Sequence, residues 1–348
     1  MKVAVGFGIP YDRPESWKET VDFVVEAERL GVESAWSAEA WGSDAVTPLA
    51  YLAARTERIK LGSGIVQTGT RTPALVAMTA ATLQLLSGGR FLLGLGTSGP
   101  QVIEGWHGIS FDHAVTRMRE TAEIVRLALS GEKVSYRGAV YQLPLAGGEG
   151  KALRLGLSGV SPVPVYLATL GPKSLALTGT MADGWLGTSF MPEHAEVFLS
   201  HLRRGAEEAG RTLFDLDLHA GGVVAFADDP ERLLEARRPG IAFTLGAMGS
   251  AKTNFYNEAF QRAGYQELAQ RVRELWLSGK RDEAVDLIPD EFVFQTNLLG
   301  TDTMVAERIR AYQGCGISTI RIAPDGASSS ERIATLERFM GLIPVGFS

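Results

Sequence analysis

The sequence predicts a (β/α)8 barrel, a single domain over residues 1–348 with a helical insertion at about 237–300, after the seventh strand. Short apolar segments alternate with segments of helical periodicity eight times along the chain. Residues 61–95 read as strand, helix and fully apolar strand, the pattern of a βαβ unit. The first strand–helix turn lacks the G-x-G-x-x-G fingerprint, which disfavours the doubly wound sheet that is the second choice.

The first half of the chain supplies four strands. We predict them at 3–7, 32–37, 59–66 and 91–95. The helix after the third strand has apolar residues at helical spacing, namely Leu75, Met78, Leu83 and Leu86. Alanine and leucine dominate this helix, which suits either packing on the barrel or a buried dimer interface. A long loop at 97–112 follows the fourth strand and precedes a helix at 114–129.

The second half supplies the other four strands, predicted at 162–168, 183–187, 216–226 and 318–322. Between the halves, 133–136 and 139–142 flank Arg137-Gly138 and predict a small hairpin outside the main sheet. Residues 237–289 show helical spacing and no clear strand, which predicts the insertion. Helices are expected at about 172–181, 192–209, 301–312 and 328–340.

Composition excludes several classes of protein. A net charge of −6 argues against a general binder of nucleic acid or of membrane surfaces. Cys315 is the only cysteine, so an internal disulfide or a cysteine-based metal cluster is excluded, and a reducing cytoplasm is expected. No signal-like apolar run opens the sequence, and no stretch approaches the roughly 20 apolar residues that span a membrane. No paired spacing of metal ligands is present.

The predicted strand ends are rich in small residues. The third strand ends near Gly64-Ile65-Val66-Gln67, and the fourth ends in Gly96-Thr97-Ser98. Because glycine lets other groups approach the backbone, a flat ring or a phosphate fits beside such ends. Gly64-Ile65 is either an ordinary strand end or a bulge with an unusual peptide bond, and the residues alone favour the ordinary end.

Two polar residues are candidate proton donors. Glu39 ends the second strand, where it is either a general acid, a partner of a cofactor ring, or a carboxylate paired with an arginine. His107 lies with Glu104 and Trp106 in the loop after the fourth strand, and it either supplies a proton or is a surface histidine.

The turn after the fifth strand is a candidate anion site. Gly171 and Lys173 offer backbone N–H groups and one cation near a helix N-terminus, whereas Pro172 has no N–H to donate. The alternative is a plain turn with a solvated lysine. The six residues of this turn are Ala168, Thr169, Leu170, Gly171, Pro172 and Lys173. Farther along, Met248, Asn254, Phe255 and Tyr256 either line a pocket or pack helices.

Three segments carry a resemblance to a known family. Residues 35–73, 86–108 and 164–186 resemble the luciferase-like monooxygenase superfamily, and within it the coenzyme F420-dependent oxidoreductases related to methylenetetrahydromethanopterin reductase. Residues 246–265 resemble an actinobacterial-type subgroup of that branch. The resemblance implies a (β/α)8 barrel, a deazaflavin across its C-terminal mouth, and a dimer, which is common among relatives.

The resemblance also assigns site residues. An unusual peptide at Gly64-Ile65 would back the ring, and Glu39 and Gln67 would meet its polar edge. Gly96, Thr97, Ser98 and Val102 would flank the cofactor's tail. The phosphate would lie near Leu170, Gly171, Pro172 and Lys173. Ala168 and Thr169, which precede them, would complete the cofactor-binding residues.

One departure bears on the reaction. Sugar-phosphate dehydrogenases of this branch carry an Asp-His pair at the end of the second strand, where this chain has Glu39-Ala40. The resemblance therefore implies hydride transfer between F420 and a small organic substrate other than a sugar phosphate, and it leaves the proton donor unassigned. We take Glu39 and His107 as the candidate proton donors. Two alternatives stay open at this point: an FMN-dependent monooxygenase, and a barrel that binds a ligand without catalysis.

Overall fold

The computed structural model describes residues 1–10, 13–249 and 254–343, and it divides into two compact units. The first unit holds Gly6–Ala168 and Ala182–Gly184; the second holds Met1–Val5, Thr169–Met181 and Trp185–Ser348. Parallel strands alternate with helices in both, which confirms the predicted (β/α)8 fold. Within the described ranges, no helix is long and apolar enough to cross a membrane.

The strands and helices fall in chain order as follows. Residues 1–168 form β1 (Lys2–Phe7), α1 (Trp17–Arg29), β2 (Ser34–Ser37), α2 (Val46–Ala53), β3 (Lys60–Ser63), β4 (Val66–Gln67), α3 (Pro73–Leu86), β5 (Phe91–Gly96), α4 (Pro100–Ile103), α5 (Ala114–Leu129), β6 (Tyr136–Arg137), β7 (Gln142–Leu143) and β8 (Val165–Ala168). Residues 169–343 form α6 (Pro172–Met181), β9 (Gly184–Leu186), α7 (Glu196–Glu208), β10 (Asp217–Ala220), β11 (Val223–Phe226), α8 (Glu231–Glu235), α9 (Arg238–Gly246), α10 (Phe255–Phe260), α11 (Gln266–Leu277), α12 (Arg281–Asp286), α13 (Asp290–Thr296), β12 (Leu298–Gly300), α14 (Asp302–Gly314), β13 (Thr319–Pro324) and α15 (Ser329–Met340).

In the first unit, parallel strands β2, β3, β5 and β8 lie side by side, and β4 pairs with β5. Every residue of β5 is buried, as expected for a strand covered on both faces. Arg90, just before β5, cross-links neighbouring segments at one end of this unit through hydrogen bonds. Its guanidinium donates to the carbonyl oxygens of Ala53, Thr56 and Ile59 at 2.7–3.2 Å. These bonds connect β5 to α2 and to the segment that enters β3.

The predicted apolar face of α3 is not its buried face. Leu75, Met78 and Leu86 are exposed, whereas Leu83 is buried. The buried positions are instead mostly small residues, namely Val76, Ala77, Ala80 and Ala81, with Leu83 and Gln84. Helical spacing alone could not select between the two faces because nearly every residue of α3 is apolar.

The predicted hairpin is present as an antiparallel pair of short strands, β6 and β7. Its turn covers residues 138–141 rather than Arg137-Gly138. The buried carboxylate of Glu120, on α5, accepts hydrogen bonds from the backbone N–H groups of Ala139, Val140 and Tyr141 at 2.7–3.0 Å. Burial alone would raise the pKa of the Glu120 carboxyl, but these three donors hold it below its ordinary value.

In the second unit, β13 is the central strand. It pairs in parallel with β1, β10 and β11, and β11 also pairs with β12. The seventh strand, predicted as continuous over 216–226, is interrupted at Gly221-Gly222. A Cβ on Gly221 would lie 2.0 Å from the carbonyl oxygen of Arg321, and one on Gly222 would lie 2.4 Å from that of Thr296. Only glycines fit where the chain passes so close to its neighbours.

Side-chain hydrogen bonds join β10 to β13. The carboxylate of Asp217 accepts from the hydroxyls of Ser318 and Thr319 at 2.6 and 2.7 Å, and it lies 3.0 Å from Nε2 of His219. Burial lowers the pKa of His219, so the imidazole is neutral at pH 7. Burial opposes ionisation of Asp217, but these hydrogen bonds lower the pKa of its carboxyl far below the ordinary value.

The insertion is helical, as predicted. Its apolar residues, including Leu245, Phe260 and Phe292, belong to a buried cluster that also contains Ala225 of β11. Asn254 caps α10 by accepting from the N–H groups of Tyr256 and Asn257. Asn257, fully buried, donates to the carbonyls of Leu245 and Ala269 at 2.9 and 2.6 Å. Both asparagines therefore have the helix-packing role. Positions 250–253 of the 246–265 segment, and 11–12 of the first loop, lie outside the described residues.

The short strand β12 was not predicted. It covers Leu298–Gly300, directly before Thr301, whose hydroxyl caps α14. Three apolar residues are too few to show the alternation that identifies a strand.

Candidate functional site

Gly64 and Ile65, between β3 and β4, are joined by a cis peptide bond. The interpretation favoured from the residues alone, an ordinary strand end, is therefore wrong, whereas the resemblance anticipated an unusual peptide here. The N–H of Gly64 donates to the carbonyl oxygen of Ser37 at 2.7 Å, which ties this segment to the end of β2. Gly64 and Ile65 are both partly exposed, so backbone and one aliphatic side chain reach the surface at this point.

The ends of β3 and β5 fit together through Ile65 and Gly96. A Cβ on Gly96 would lie 2.7 Å from Cδ1 of Ile65 and 3.5 Å from Cβ of Ala168, so Gly96 leaves the space that Ile65 occupies. In the same two strands, Ser63 Oγ accepts a hydrogen bond from the N–H of Gly94 at 2.9 Å, and its hydroxyl donates to the Gly94 carbonyl oxygen at 3.0 Å. The strand ends are thus fixed against each other by packing and by hydrogen bonds.

Glu39 forms a bidentate ion pair with Arg71, with N–O distances of 2.5 and 2.8 Å. Its carboxylate also accepts from the backbone N–H of Ala45 at 3.0 Å. The side chains of Glu39 and Arg71 are only 9% and 19% exposed. The hydrogen bond to Glu39 is the main reason that the pKa of Arg71 is raised. Of the roles considered for Glu39, this geometry matches a carboxylate paired with an arginine. It also adds Arg71, which no sequence pattern indicated, to the candidate site.

Gln67, at the end of β4, is held by the same segment. Its amide Nε2 donates to the carbonyl oxygen of Ala40 at 3.0 Å, and its backbone N–H approaches Glu39 Oε1 at 3.5 Å. The other amide atom, Oε1, is buried and accepts no hydrogen bond from any residue that the structure describes. Such an orphaned acceptor is uncommon in folded proteins, and it marks a polar group with capacity for one more donor.

The segment after β5 brings Thr97, Ser98 and Val102 to partly exposed positions. Ser98 adopts the left-handed conformation, with φ of +57°, which turns the chain into the short helix α4. Val102 lies on that helix. His107 follows it and is exposed, as are Glu104 and Trp106. The Glu104 carboxylate accepts from the N–H of Phe111 at 3.1 Å, which stabilises the loop.

The β8–α6 turn, residues 168–173, lies mostly in the second unit. Thr169 is buried there, and its carbonyl oxygen accepts from Nε1 of Trp185 at 3.0 Å. Gly171 begins the first turn of α6, where its carbonyl oxygen accepts from the N–H of Leu175 at 2.9 Å. Leu170, Gly171 and Pro172 are partly exposed, and Lys173 is exposed.

Arg262, from the insertion, is a residue of this turn that the sequence did not indicate. Its Nη2 donates to the carbonyl oxygen of Leu170 at 2.7 Å. Burial lowers the pKa of Arg262, and its Nε is buried without an acceptor in the described part of the chain. The turn therefore combines a helix N-terminus with a second, partly dehydrated cation. Over residues 1–10, 13–249 and 254–343, no group of three or more His, Cys, Asp or Glu residues is arranged to hold a metal.

Comparisons with known proteins agree with the fold. A family model for luciferase-like monooxygenases matches residues 3–319. A protein of Mycobacterium tuberculosis assigned as a coenzyme F420-dependent oxidoreductase is 35% identical over 340 residues, covering 95% of this chain and 98% of that protein. A 5,10-methylenetetrahydromethanopterin reductase of Archaeoglobus fulgidus is 27% identical, over 94% of this chain and 97% of the reductase. The solved coenzyme F420-dependent tetrahydromethanopterin reductase of Methanopyrus kandleri superposes with a TM-score of 0.77 at 25% identity, covering 97% of each chain.

Proposed function

The chain belongs to the luciferase-like monooxygenase family, and from that premise we propose that it transfers a hydride between coenzyme F420 and a small organic substrate. Its relatives include named F420-dependent oxidoreductases, and it is an enzyme of that group. The substrate is a carbonyl, an imine, an activated C=C bond, or an alcohol in the reverse direction. When bound, F420 supplies or accepts the hydride at C5 of its deazaflavin ring.

The fit of Ile65 into the space left by Gly96 is the observation that carries the proposal. A planar ring needs a firm, side-chain-poor surface behind it, and here the partly exposed Gly64 and Ile65 offer one. The orphaned Oε1 of Gln67 suits the N–H donor of a pyrimidine-type ring edge. The proposed ring and tail contacts in the first unit are Glu39, Gly64, Ile65, Gln67, Gly96, Thr97, Ser98, Val102 and Ala168.

We propose a phosphate-binding role for the β8–α6 turn. The turn presents Thr169, Leu170, Gly171 and the exposed cation of Lys173 at the start of α6, while Pro172 occupies a first-turn position that needs no N–H. Arg262 adds a positive charge that has only a carbonyl acceptor in the described residues. Arg262 also has a structural role in the proposal, because its hydrogen bond to the carbonyl oxygen of Leu170 fixes the position of Leu170.

We propose different roles for the two candidate proton donors, Glu39 and His107. The carboxylate of Glu39 is already engaged by Arg71 and by Ala45 N–H, so we assign it to holding Gln67 and the ring edge. His107 is exposed, and its ring forms no hydrogen bond within the described chain, so it is free to carry a proton to or from the substrate.

A homodimer is proposed as the functional assembly. Leu75, Met78, Leu85 and Leu86 expose between 47% and 60% of their surface along α3, and Tyr51 on α2 exposes 48%. Exposed large apolar side chains grouped on neighbouring helices are typical of an interface. A cytoplasmic location is proposed as well, since a single cysteine suits a reducing compartment.

Titration of the purified protein with F420 and with FMN tests the proposed cofactor. We expect F420 to bind and FMN to bind far more weakly, with Gly150→Ala, at a glycine outside the proposed cofactor contacts and without neighbours within 4 Å, behaving as wild type. Tight FMN binding with no F420 binding would favour the monooxygenase alternative. Binding of neither would favour a non-catalytic barrel.

Single-turnover oxidation of reduced F420 tests the proton donor. His107→Gln is expected to slow hydride transfer by about 10²–10⁴-fold, the usual contribution of a general acid. Glu39→Gln is expected to weaken F420 binding more than it slows the chemical step. An unchanged rate in both variants would remove both residues from catalysis.

A further inference from the structure

Arg321 is a cation on the central strand of the second unit. It lies on the same face of β13 as Thr319, whose hydroxyl bonds Asp217, because alternate residues of a strand share a face. Ile320 and Ile322, on the opposite face, are buried. Arg321 lies two residues nearer than Thr319 to the C-terminal end of the strand, and barrel enzymes bind their substrates at that end.

The surroundings of Arg321 leave its charge without a counterion. Its Nη2 donates to the carbonyl oxygen of Gly187 at 2.8 Å. Burial lowers the pKa of the guanidinium, and Tyr256 is the one described group that opposes this shift. No described carboxylate forms an ion pair with it. The side chain is nonetheless partly exposed, so a solute can reach it.

Three other arginines have different surroundings, whereas Arg262, like Arg321, has a single carbonyl acceptor among the described residues. Arg90 donates to three main-chain carbonyls and to the hydroxyl of Thr56, which is a structural role. Arg71 pairs with Glu39, and Arg308 pairs with Glu193. A guanidinium that is removed from water and hydrogen-bonded to only one neutral acceptor is energetically costly to bury, unless a bound anion compensates its charge.

Tyr256 is a second hydrogen-bond donor, and its side chain interacts electrostatically with Arg321. It belongs to α10, whose start is fixed by Asn254 and whose packing is fixed by Asn257. Burial raises the pKa of its phenol, while the cation of Arg321 opposes that rise, so the two side chains are close enough to interact. The structure gives the Tyr256 hydroxyl no partner among the described residues. A guanidinium and a phenol together match an oxyanion, which accepts several hydrogen bonds.

We propose that Arg321 and Tyr256 bind an oxyanion group of the substrate, either a carboxylate or a phosphate. This rests on the proposed function and narrows the substrate to compounds that carry a negative charge besides the carbon that exchanges hydride. Arg321 binds the anion and orients the substrate, whereas a neutral substrate would leave the guanidinium uncompensated.

The test uses calorimetric binding of benzoate, phenyl phosphate and the neutral benzamide to the full-length protein. At least one anion is expected to bind about tenfold or more tightly than benzamide, and the two anions distinguish carboxylate from phosphate recognition. Arg321→Met should weaken that anion by about 10- to 100-fold, the effect of losing a charge-assisted hydrogen bond. Arg321→Lys should retain part of the affinity, since it keeps the charge but loses the planar fork.

Controls separate folding and cofactor effects from anion binding. Arg310→Met removes the same charge from an exposed position on α14 and should leave the affinity unchanged. Tyr256→Phe should weaken the anion by a smaller factor, about 3- to 10-fold. F420 affinity is measured separately on each variant, so that failure of the proposed cofactor leaves the anion result interpretable.

The proposal is overturned if neither anion binds better than benzamide, or if the Arg321 variants bind the anion as wild type does. If Arg321→Met fails to fold, Arg321→Lys and Tyr256→Phe decide the question by the same comparison.

Discussion

Ile65 occupies the space that Gly96 leaves empty at the ends of β3 and β5, where a Cβ on residue 96 would lie 2.7 Å from Cδ1 of Ile65. This relationship makes residue 96 a determinant of where Ile65 lies. In the proposed cofactor site, Ile65 forms part of the surface offered to a planar ring, so we expect a change in the packing of these two strand ends to alter cofactor binding.

Gly96→Ala is expected to lower the free energy of unfolding by about 1–3 kcal/mol, the usual effect of overpacking, and to weaken F420 binding. Thermal or denaturant unfolding and a fluorescence titration measure the two effects. Gly150→Ala is the control, since a Cβ there has no neighbour within 4 Å and residue 150 is not among the proposed cofactor contacts. Wild-type F420 affinity in Gly96→Ala would contradict a role for this packing in the cofactor site.

Glu39 and Arg71 are expected to be energetically coupled. A double-mutant cycle with Glu39→Gln and Arg71→Met should give a coupling energy of about 1–3 kcal/mol, because the pair is bidentate and mostly shielded from water. The pair Glu196–Arg203 is also bidentate but 67% and 44% exposed, so its coupling should stay below about 1 kcal/mol. Equal coupling in the two pairs would show that shielding of Glu39 contributes nothing.

Stability is expected to fall as the pH is lowered below about 6.5, the ordinary pKa of histidine. Burial lowers the pKa of His219, so the unfolded chain binds a proton in this range that the folded chain does not. The contribution of His219 reaches at most about 1.4 kcal/mol per pH unit. Asp217 does not add to this slope, because its carboxyl stays ionised far below this range.

Denaturant unfolding between pH 5 and pH 7.5 measures this slope. His219→Gln should reduce it, while His201, whose pKa is also lowered by burial, keeps part of it. His113→Gln, at an exposed position, is the control. A slope that is unaltered by His219→Gln would contradict the assignment.

Met78→Glu is expected to convert the proposed dimer to a monomer. Met78 exposes 55% of its surface on α3, and a charge in an apolar interface is costly to bury. Light scattering coupled to size exclusion gives the mass. Leu277→Glu, at a similarly exposed position on α11, should leave the mass unchanged. A monomeric wild-type protein would refute the dimer.

The fold could be predicted well because a strand that is buried on both faces is recognisable from a local run of apolar residues. β5 is fully apolar and was located to within a residue. Both ends of α5 were also located, although its N-cap residue, His113, forms no side-chain capping hydrogen bond. β12 was missed because three residues carry no periodicity. The break at Gly221-Gly222 was missed because its cause, the close approach of Arg321 and Thr296, is distant in sequence.

Residues of the candidate site were predictable only where the backbone conformation, rather than a distant side-chain partner, determines the residue type. Glycines at 64, 96 and 171 marked the strand ends, since small residues there have few other uses. Arg71, Arg262 and Arg321 were not predicted, because a partner 32 or 92 residues away leaves no local pattern. The exposed face of α3 was not separable from its buried face, because both are apolar.

The buried Glu120 recognises residues 139–141 through their main-chain N–H groups alone. Folding therefore places little constraint on which side chains occupy these three positions. Proline is the exception, because it has no N–H to donate. This short stretch offers a place where tags or randomised peptides can be displayed while a single carboxylate keeps the loop anchored to its helix.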